Sequence, residues 1–208
     1  RRQKMRGQIF SGLLAGAGQS MKIILIGYRA AGKSTIGLLL SEKLKIPFVD
    51  TDCLIEEAAG MPVKKLIELE GWEEFRKRET EALASLQERG VCVVATGGGA
   101  IIANANRLLL KKSGALVYLK TPFPDILARL KRDALKDQIR PQFTSEHLAA
   151  ETLTVLSERI PLYESAADFT VDTQGKSIVR VTEDIYQHLL NAGIVFEIKQ
   201  LEKTLKKY

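Results

Sequence analysis

The sequence predicts an α/β fold in three layers, a five-stranded parallel sheet with helices on both faces. Three observations predict it. Five short apolar or β-branched runs, at 21–26, 47–50, 91–95, 115–119 and 168–172, alternate with stretches of helical periodicity. That alternation calls for crossover helices covering both faces of a parallel sheet. The first run ends in Gly27-Tyr28-Arg29-Ala30-Ala31-Gly32-Lys33-Ser34, which reads G-x-x-x-x-G-K-S and opens a helix. The length, 208 residues, suits one domain with a sizeable core.

Each element follows in order. The run 21–26 is a buried strand, and Ser34 to Leu44 keeps a helical apolar face. Pro47 to Asp50 is a short strand. Helical pattern then runs over 52–59, 63–70 and 72–88, closed by Gly90. Val91 to Ala95 is a strand, 104–112 a helix ending at Gly114, and Ala115 to Leu119 a strand. Helical pattern returns at 122–132 and 145–160, separated by a charged, Pro-containing segment at 133–143. Asp168 to Asp172 is the last strand and 178–190 the last core helix. We expect the domain to span 21–190, with a basic extension at 1–20 and an amphipathic, Lys-rich tail at 191–208. The extension has a short, glycine-rich apolar part, too short to span a membrane. It reads as an upstream or expression-derived addition, with a targeting segment as the alternative.

Composition bounds the function. The apolar share (45%) and charged share (27%) are those of an ordinary globular protein. The net charge of +6 sits at the ends. Arg1, Arg2, Lys4 and Arg6 supply four of those charges without an acid. Lys199, Lys203, Lys206 and Lys207 against Glu197 and Glu202 supply the other two. A near-neutral centre argues against nucleic-acid binding through bulk charge, and no apolar stretch predicts a membrane span. Two isolated cysteines, Cys53 and Cys92, make neither a zinc site nor a disulfide framework and imply a reducing cytoplasm. His147 and His188 read as surface or packing residues.

The strand ends carry the chemistry, because ligands of such sheets gather there. The loop 27–34 offers backbone N–H groups and a helix N-terminus to phosphates. Gly27 and Gly32 permit its turn, Lys33 reaches the β- and γ-phosphates, and Ser34 can ligate Mg²⁺. A phosphate loop needs an acid near the metal. Among the strands at 47–50, 91–95 and 115–119 only the first ends in one, Asp50. Asp52 follows two residues on, and a persisting pleat would aim both carboxylates to one side. One would serve the metal and the other the acceptor hydroxyl; the alternative for Asp52 is a helix N-cap. Thr96-Gly97-Gly98-Gly99 suits close approach to a small ligand, or is a plain turn. Arg76 and Glu79 are i,i+3 neighbours, so Glu79 can orient the guanidinium toward a carboxylate, unless the string is a solvated face. Arg159, just before Pro161, sits in the last turn of its helix and could simply complement the dipole. Arg140-Pro141 lies in the segment 133–143, which could be a lid that excludes water, or an exposed loop.

G-Y-R-A-A-G-K-S-T at 27–35, D-T-D at 50–52, F-R-K-R-E at 75–79, T-G-G-G at 96–99, R-P at 140–141 and R-I-P-L-Y at 159–163 together resemble the shikimate kinase family over about residues 21–190. The resemblance implies a P-loop kinase fold like that of nucleoside monophosphate kinases. It also implies Mg²⁺-assisted transfer of the γ-phosphate of ATP to the 3-hydroxyl of shikimate in aromatic amino-acid biosynthesis, by a monomer. It places Gly27, Ala30, Ala31, Gly32, Lys33, Ser34, Thr35, Arg132 and Arg140 at ATP, with Arg132 near adenine. Ser34 falls at the metal with Asp50 in its outer shell, and Asp52 at the shikimate hydroxyls as a candidate proton acceptor. Arg76 and Arg159 hold the carboxylate, Gly97, Gly98 and Gly99 form the substrate wall, and Lys33, Asp52 and Arg140 take the catalytic roles. Gln142-Phe143 departs from the leucine-rich continuation expected after Arg140-Pro141. A gluconate-type or nucleoside monophosphate kinase would share the loop without the other motifs. A GTPase would need an [NT]-K-x-D motif, and the chain has none. A non-catalytic binding module would have shed residues such as Lys33, Asp52 and Arg76.

Overall fold

The computed structural model describes residues 21–136 and 145–205. Its strands are β1 (Lys22–Ile26), β2 (Phe48–Asp50), β3 (Cys92–Ala95), β4 (Gly114–Lys120) and β5 (Phe169–Asp172). They form one sheet in the order β2-β3-β1-β4-β5, and every neighbouring pair is parallel. Among the described residues the helices are α1 (Lys33–Leu44), α2 (Thr51–Ala59), α3 (Val63–Ser85), α4 (Asn104–Ser113), α5 (Phe123–Lys136), α6 (Ser145–Ala166), α7 (Ile178–Asn191) and α8 (Ile194–Leu205). No described helix is long and apolar enough to cross a membrane.

The pleat sorts the strand residues into two cores. Ile23, Leu25, Val93, Val117 and Val171 face Ile36 and Leu40 of α1 and Ile185 and Leu189 of α7. Ile24, Ile26, Val94, Leu116 and Tyr118 face Leu83 of α3, Leu110 of α4 and Tyr163 of α6. Apolar side chains on both faces of the middle strands explain their unbroken hydrophobic runs, as in Ile23-Ile24-Leu25-Ile26. The segment after 190 joins the first of these cores. Ile194, Val195 and Ile198 of α8 are buried there, and their polar neighbours face outward.

Of two helix boundaries, the break at Gly71 follows the sequence reading and the end of α6 departs from it. The stretches 63–70 and 72–88 meet in α3 across Gly71, whose φ of 85° and ψ of 174° break the helical run there. That left-handed φ is one glycine reaches without a Cβ penalty. The helix expected to stop before Pro161 instead continues through it to Ala166. Proline removes one N–H donor from a helix interior. The following turn is anchored by Tyr163 and Ala166, both buried in the second core. Arg159 is therefore a mid-helix residue, and the end-of-helix explanation for it is removed.

Candidate active site

The donor side of the cleft is built by the backbone. Gly27 leaves β1 with φ 150°, and a Cβ there would stand 3.0 Å from the Leu119 carbonyl oxygen of β4. Gly32, at φ 96°, caps α1 without a side-chain hydrogen bond, so the first N–H groups of α1 keep no side-chain acceptor. Ala30 holds φ 61°, a left-handed conformation that a Cβ disfavours. The Lys33 ammonium lies across the loop and donates to the carbonyls of Gly27 (2.9 Å) and Tyr28 (2.8 Å). Burial lowers its pKa to about 8, against the pull of Asp52 and Asp50. Beside the loop a cavity of about 510 Å³ is lined by Ala30, Ala31, Gly32, Thr35, Arg129 and Arg132, among others. The sequence reading missed Arg129, whose Nη1 donates to the Ala30 carbonyl at 3.0 Å. It sits one helical turn before Arg132, and that i,i+3 spacing was the available signal.

Asp50 joins the two sides. Its Oδ2 accepts from the Ser34 hydroxyl at 2.6 Å, and its Oδ1 from the Asp52 backbone N–H at 3.0 Å. Asp50 is thus the N-cap of α2, a role the sequence had offered to Asp52. The pleat argument for pairing the two carboxylates also fails, because β2 stops at Asp50 and Asp52 already lies in the first turn of α2. The turn, not the pleat, keeps them close. Asp52 Oδ1 is buried and has no hydrogen-bond partner among the described residues. Its pKa is pushed up to about 6, first by burial and next by Asp50, with Lys33 opposing.

The acceptor side is built by side chains around the three glycines. Arg76 Nη1 donates to Glu79 Oε2 at 2.7 Å, and the guanidinium lies 5.2 Å from the ring centre of Trp72 and 5.1 Å from that of Phe75. Glu79 is 1% exposed, which excludes a solvated charged face. Its other oxygen, Oε1, has no hydrogen-bond partner among the described residues. Burial raises its pKa while Arg76 resists. A Cβ on Gly97 would meet Asp52 Oδ1 at 2.7 Å and Glu79 Oε1 at 2.9 Å. On Gly98 it would meet the Arg29 nitrogen at 2.9 Å, and on Gly99 it would overlap the Arg76 guanidinium. The triplet is therefore the space in which two carboxylates and a guanidinium approach one another. Arg159, from α6, donates through Nη1 to the Gly98 carbonyl at 3.2 Å, and its guanidinium lies 5.7 Å from the Tyr28 ring centre. Thr51, also missed from sequence, fixes the wall by accepting from the Gly97 N–H at 3.0 Å. Contacts of Ser34 with Asp50, of Asp52 with Gly97, of Arg76 with Gly99 and of Arg159 with Gly98 thus link the loop 27–35 to the acceptor residues at the carboxyl ends of the strands. Arg140 lies outside the described residues, as does most of the segment 133–143.

A phosphate loop, a buried carboxylate and two arginines around a glycine wall describe a kinase for a small acidic acceptor. A protein-family profile described as shikimate kinase matches residues 29–190. The chain belongs to the shikimate kinase family. A shikimate kinase from Thioalkalivibrio sulfidiphilus is 42% identical over 171 residues, covering 82% of this chain and 87% of that protein. One from Syntrophus aciditrophicus is 37% identical, covering 78% and 88%. Among solved structures, the shikimate kinase of Acinetobacter baumannii in complex with shikimate superposes with a TM-score of 0.75 at 37% identity, covering 83% of this chain and 94% of that one. The Aquifex aeolicus shikimate kinase superposes at 0.68 and 32% identity, covering 84% and 99%.

Proposed function

We propose that this shikimate kinase family member transfers the γ-phosphoryl group of ATP to the 3-hydroxyl of shikimate, with the side chains above in the following roles. The observation that carries the reading is the buried Asp52 oxygen, unpartnered among the described residues, which feels the Lys33 charge and meets Glu79, the partner of Arg76, at Gly97. The loop amides and the N-terminus of α1 bind the phosphates, and Lys33 turns from the loop carbonyls to them, exchanging one set of acceptors for a charged one. Arg76 and Arg159 hold the acceptor carboxylate. Two guanidinium groups fixed by Glu79 and by the Gly98 carbonyl remove rotational freedom from the acceptor and align its hydroxyl for in-line attack. Asp52 orients that hydroxyl and takes its proton as the new P–O bond forms and the bond to ADP breaks. A carboxylate near pKa 6 is ionised at neutral pH yet basic enough for this work.

The donor set fits Mg²⁺. The Ser34 hydroxyl and Asp50 carboxylate are hard oxygens 2.6 Å apart beside the loop, and Mg²⁺ takes one or two protein oxygens together with waters and phosphates. Bound there, it would neutralise phosphate charge. We take the enzyme to act as a monomer. Its two unpaired cysteines suit a reducing cytoplasm.

ADP formation measured separately with shikimate, gluconate and AMP, with and without Mg²⁺, tests the proposal. Turnover with shikimate that requires Mg²⁺ is expected. Faster turnover with gluconate or AMP would overturn it.

A further inference from the structure

Tyr163 closes the R-I-P-L-Y segment and has no part in the roles assigned so far. It lies one helical turn beyond Arg159 on α6, so both side chains leave the same face of that helix. Its hydroxyl donates to the Gly98 carbonyl at 2.5 Å, the same oxygen that accepts from Arg159 Nη1 at 3.2 Å. Its ring is 1% exposed and stacks on Tyr118 of β4, with centroids 5.0 Å apart and planes at 14°. The phenol is thus held at both ends, by a ring in the sheet core and by a carbonyl at the cleft.

The Gly98–Gly99 peptide stands between the two acceptor arginines. On one side its carbonyl meets Arg159. On the other, the Gly99 Cα lies so close to Arg76 that a Cβ would overlap the guanidinium. A rotation of this peptide would move both guanidinium contacts together. Glycine flanks leave such a rotation without a side-chain barrier. Arg159 alone cannot prevent it, because its guanidinium must also serve the ligand.

We propose that the Tyr163 hydroxyl is a positioning group for the acceptor carboxylate: by locking the Gly98 carbonyl it sets the spacing of Arg76 and Arg159. It does not touch the acceptor. Burial raises the phenol pKa, so it remains a donor through the neutral range. The inference rests on the functional reading above.

The test is Tyr163→Phe in the full chain, which keeps the stack and volume and removes one donor. Gly98 O keeps its bond from Arg159, so no buried acceptor is orphaned and the melting temperature should stay close to that of the parent. The KM for shikimate should rise about five- to ten-fold, the weight of one hydrogen bond, with kcat and the KM for ATP nearly unchanged. Tyr118→Phe, which keeps the stack and touches neither arginine, should leave the shikimate KM at the parent value. The Tyr163→Phe penalty should shrink in an Arg159→Lys background, since the two act through one carbonyl. An unchanged shikimate KM, an equal rise for ATP, or full additivity with Arg159→Lys would overturn the inference. A Tyr163→Phe chain that fails to fold would also overturn it, by assigning the hydroxyl to the fold. Failure of the parent enzyme to phosphorylate shikimate would remove the functional reading itself, a result distinct from any of these.

Discussion

The donor half of the cleft is one uninterrupted stretch, 27–35, whose groups are mostly backbone. The acceptor half draws Asp52 from α2, Arg76 and Glu79 from α3, the glycines from the β3 exit and Arg159 from α6. The donor loop sets Lys33 on two of its carbonyls and Ser34 on Asp50 and leaves one buried donor, Arg29 Nε, without a partner among the described residues. The acceptor half leaves two carboxylate oxygens, Asp52 Oδ1 and Glu79 Oε1, buried and without a partner among the described residues. A site held by local geometry can be nearly relaxed without its ligand. One assembled from distant charges carries a folding cost that the ligand offsets.

This contrast is broken or sharpened by a graded series. Asp52→Asn should lower kcat by about 10²–10⁴-fold, the usual weight of a general base, while calorimetry finds ATP affinity retained. A near-parental kcat would remove Asp52 from the chemistry. Arg76→Ala should raise the KM for shikimate by about 10²-fold, the loss of a charge-assisted contact, with kcat less affected. It should also lower the melting temperature, because Glu79 is left buried without its cation. Adding Glu79→Gln should restore the melting temperature but not the KM, and a temperature unmoved by either change would deny the acceptor half its cost.

The pH dependence follows from Asp52. Its folded pKa, about 6, lies above the ordinary value of 3.8. The native state therefore holds the proton more tightly. The destabilisation is absent below about pH 4, grows as pH rises between the two pKa values and is nearly complete above about pH 6. Activity needs the ionised form, so kcat/KM should fall as pH drops through 6, the acid limb of a rate profile. At neutral pH Asp52→Asn should stabilise the fold by about 2 kcal/mol, read from denaturant midpoints. Loss of stability would contradict the assignment. The smallest effect belongs to the donor half. Ala30→Gly relieves a left-handed alanine and should add at most about 1 kcal/mol, read from denaturant midpoints.

Much of this could be read from the chain, and the exceptions share a cause. The strands, the loop and the Gly71 break follow from periodicity and glycine placement, which are local. Pro161 misled because a proline signals a stop only when nothing beyond it is anchored, and Tyr163 is anchored. Asp50 rather than Asp52 caps α2 because β2 stops at Asp50, two residues short of where a persisting pleat would carry it. Tyr163, Thr51 and Arg129 were missed because each acts on a backbone atom at least 46 residues away.

The sequence by itself determined the α/β fold, the phosphate loop and the set of charged residues an acidic acceptor needs. These are written in neighbouring residues, where backbone preference and spacing decide the outcome. Only the tertiary structure decided that Asp52 is buried without a partner, that the glycine triplet is the room shared by two carboxylates and a guanidinium, and that Arg159 and Tyr163 meet on one carbonyl. Burial and close approach belong to the packing of several elements, and no single stretch of chain encodes them.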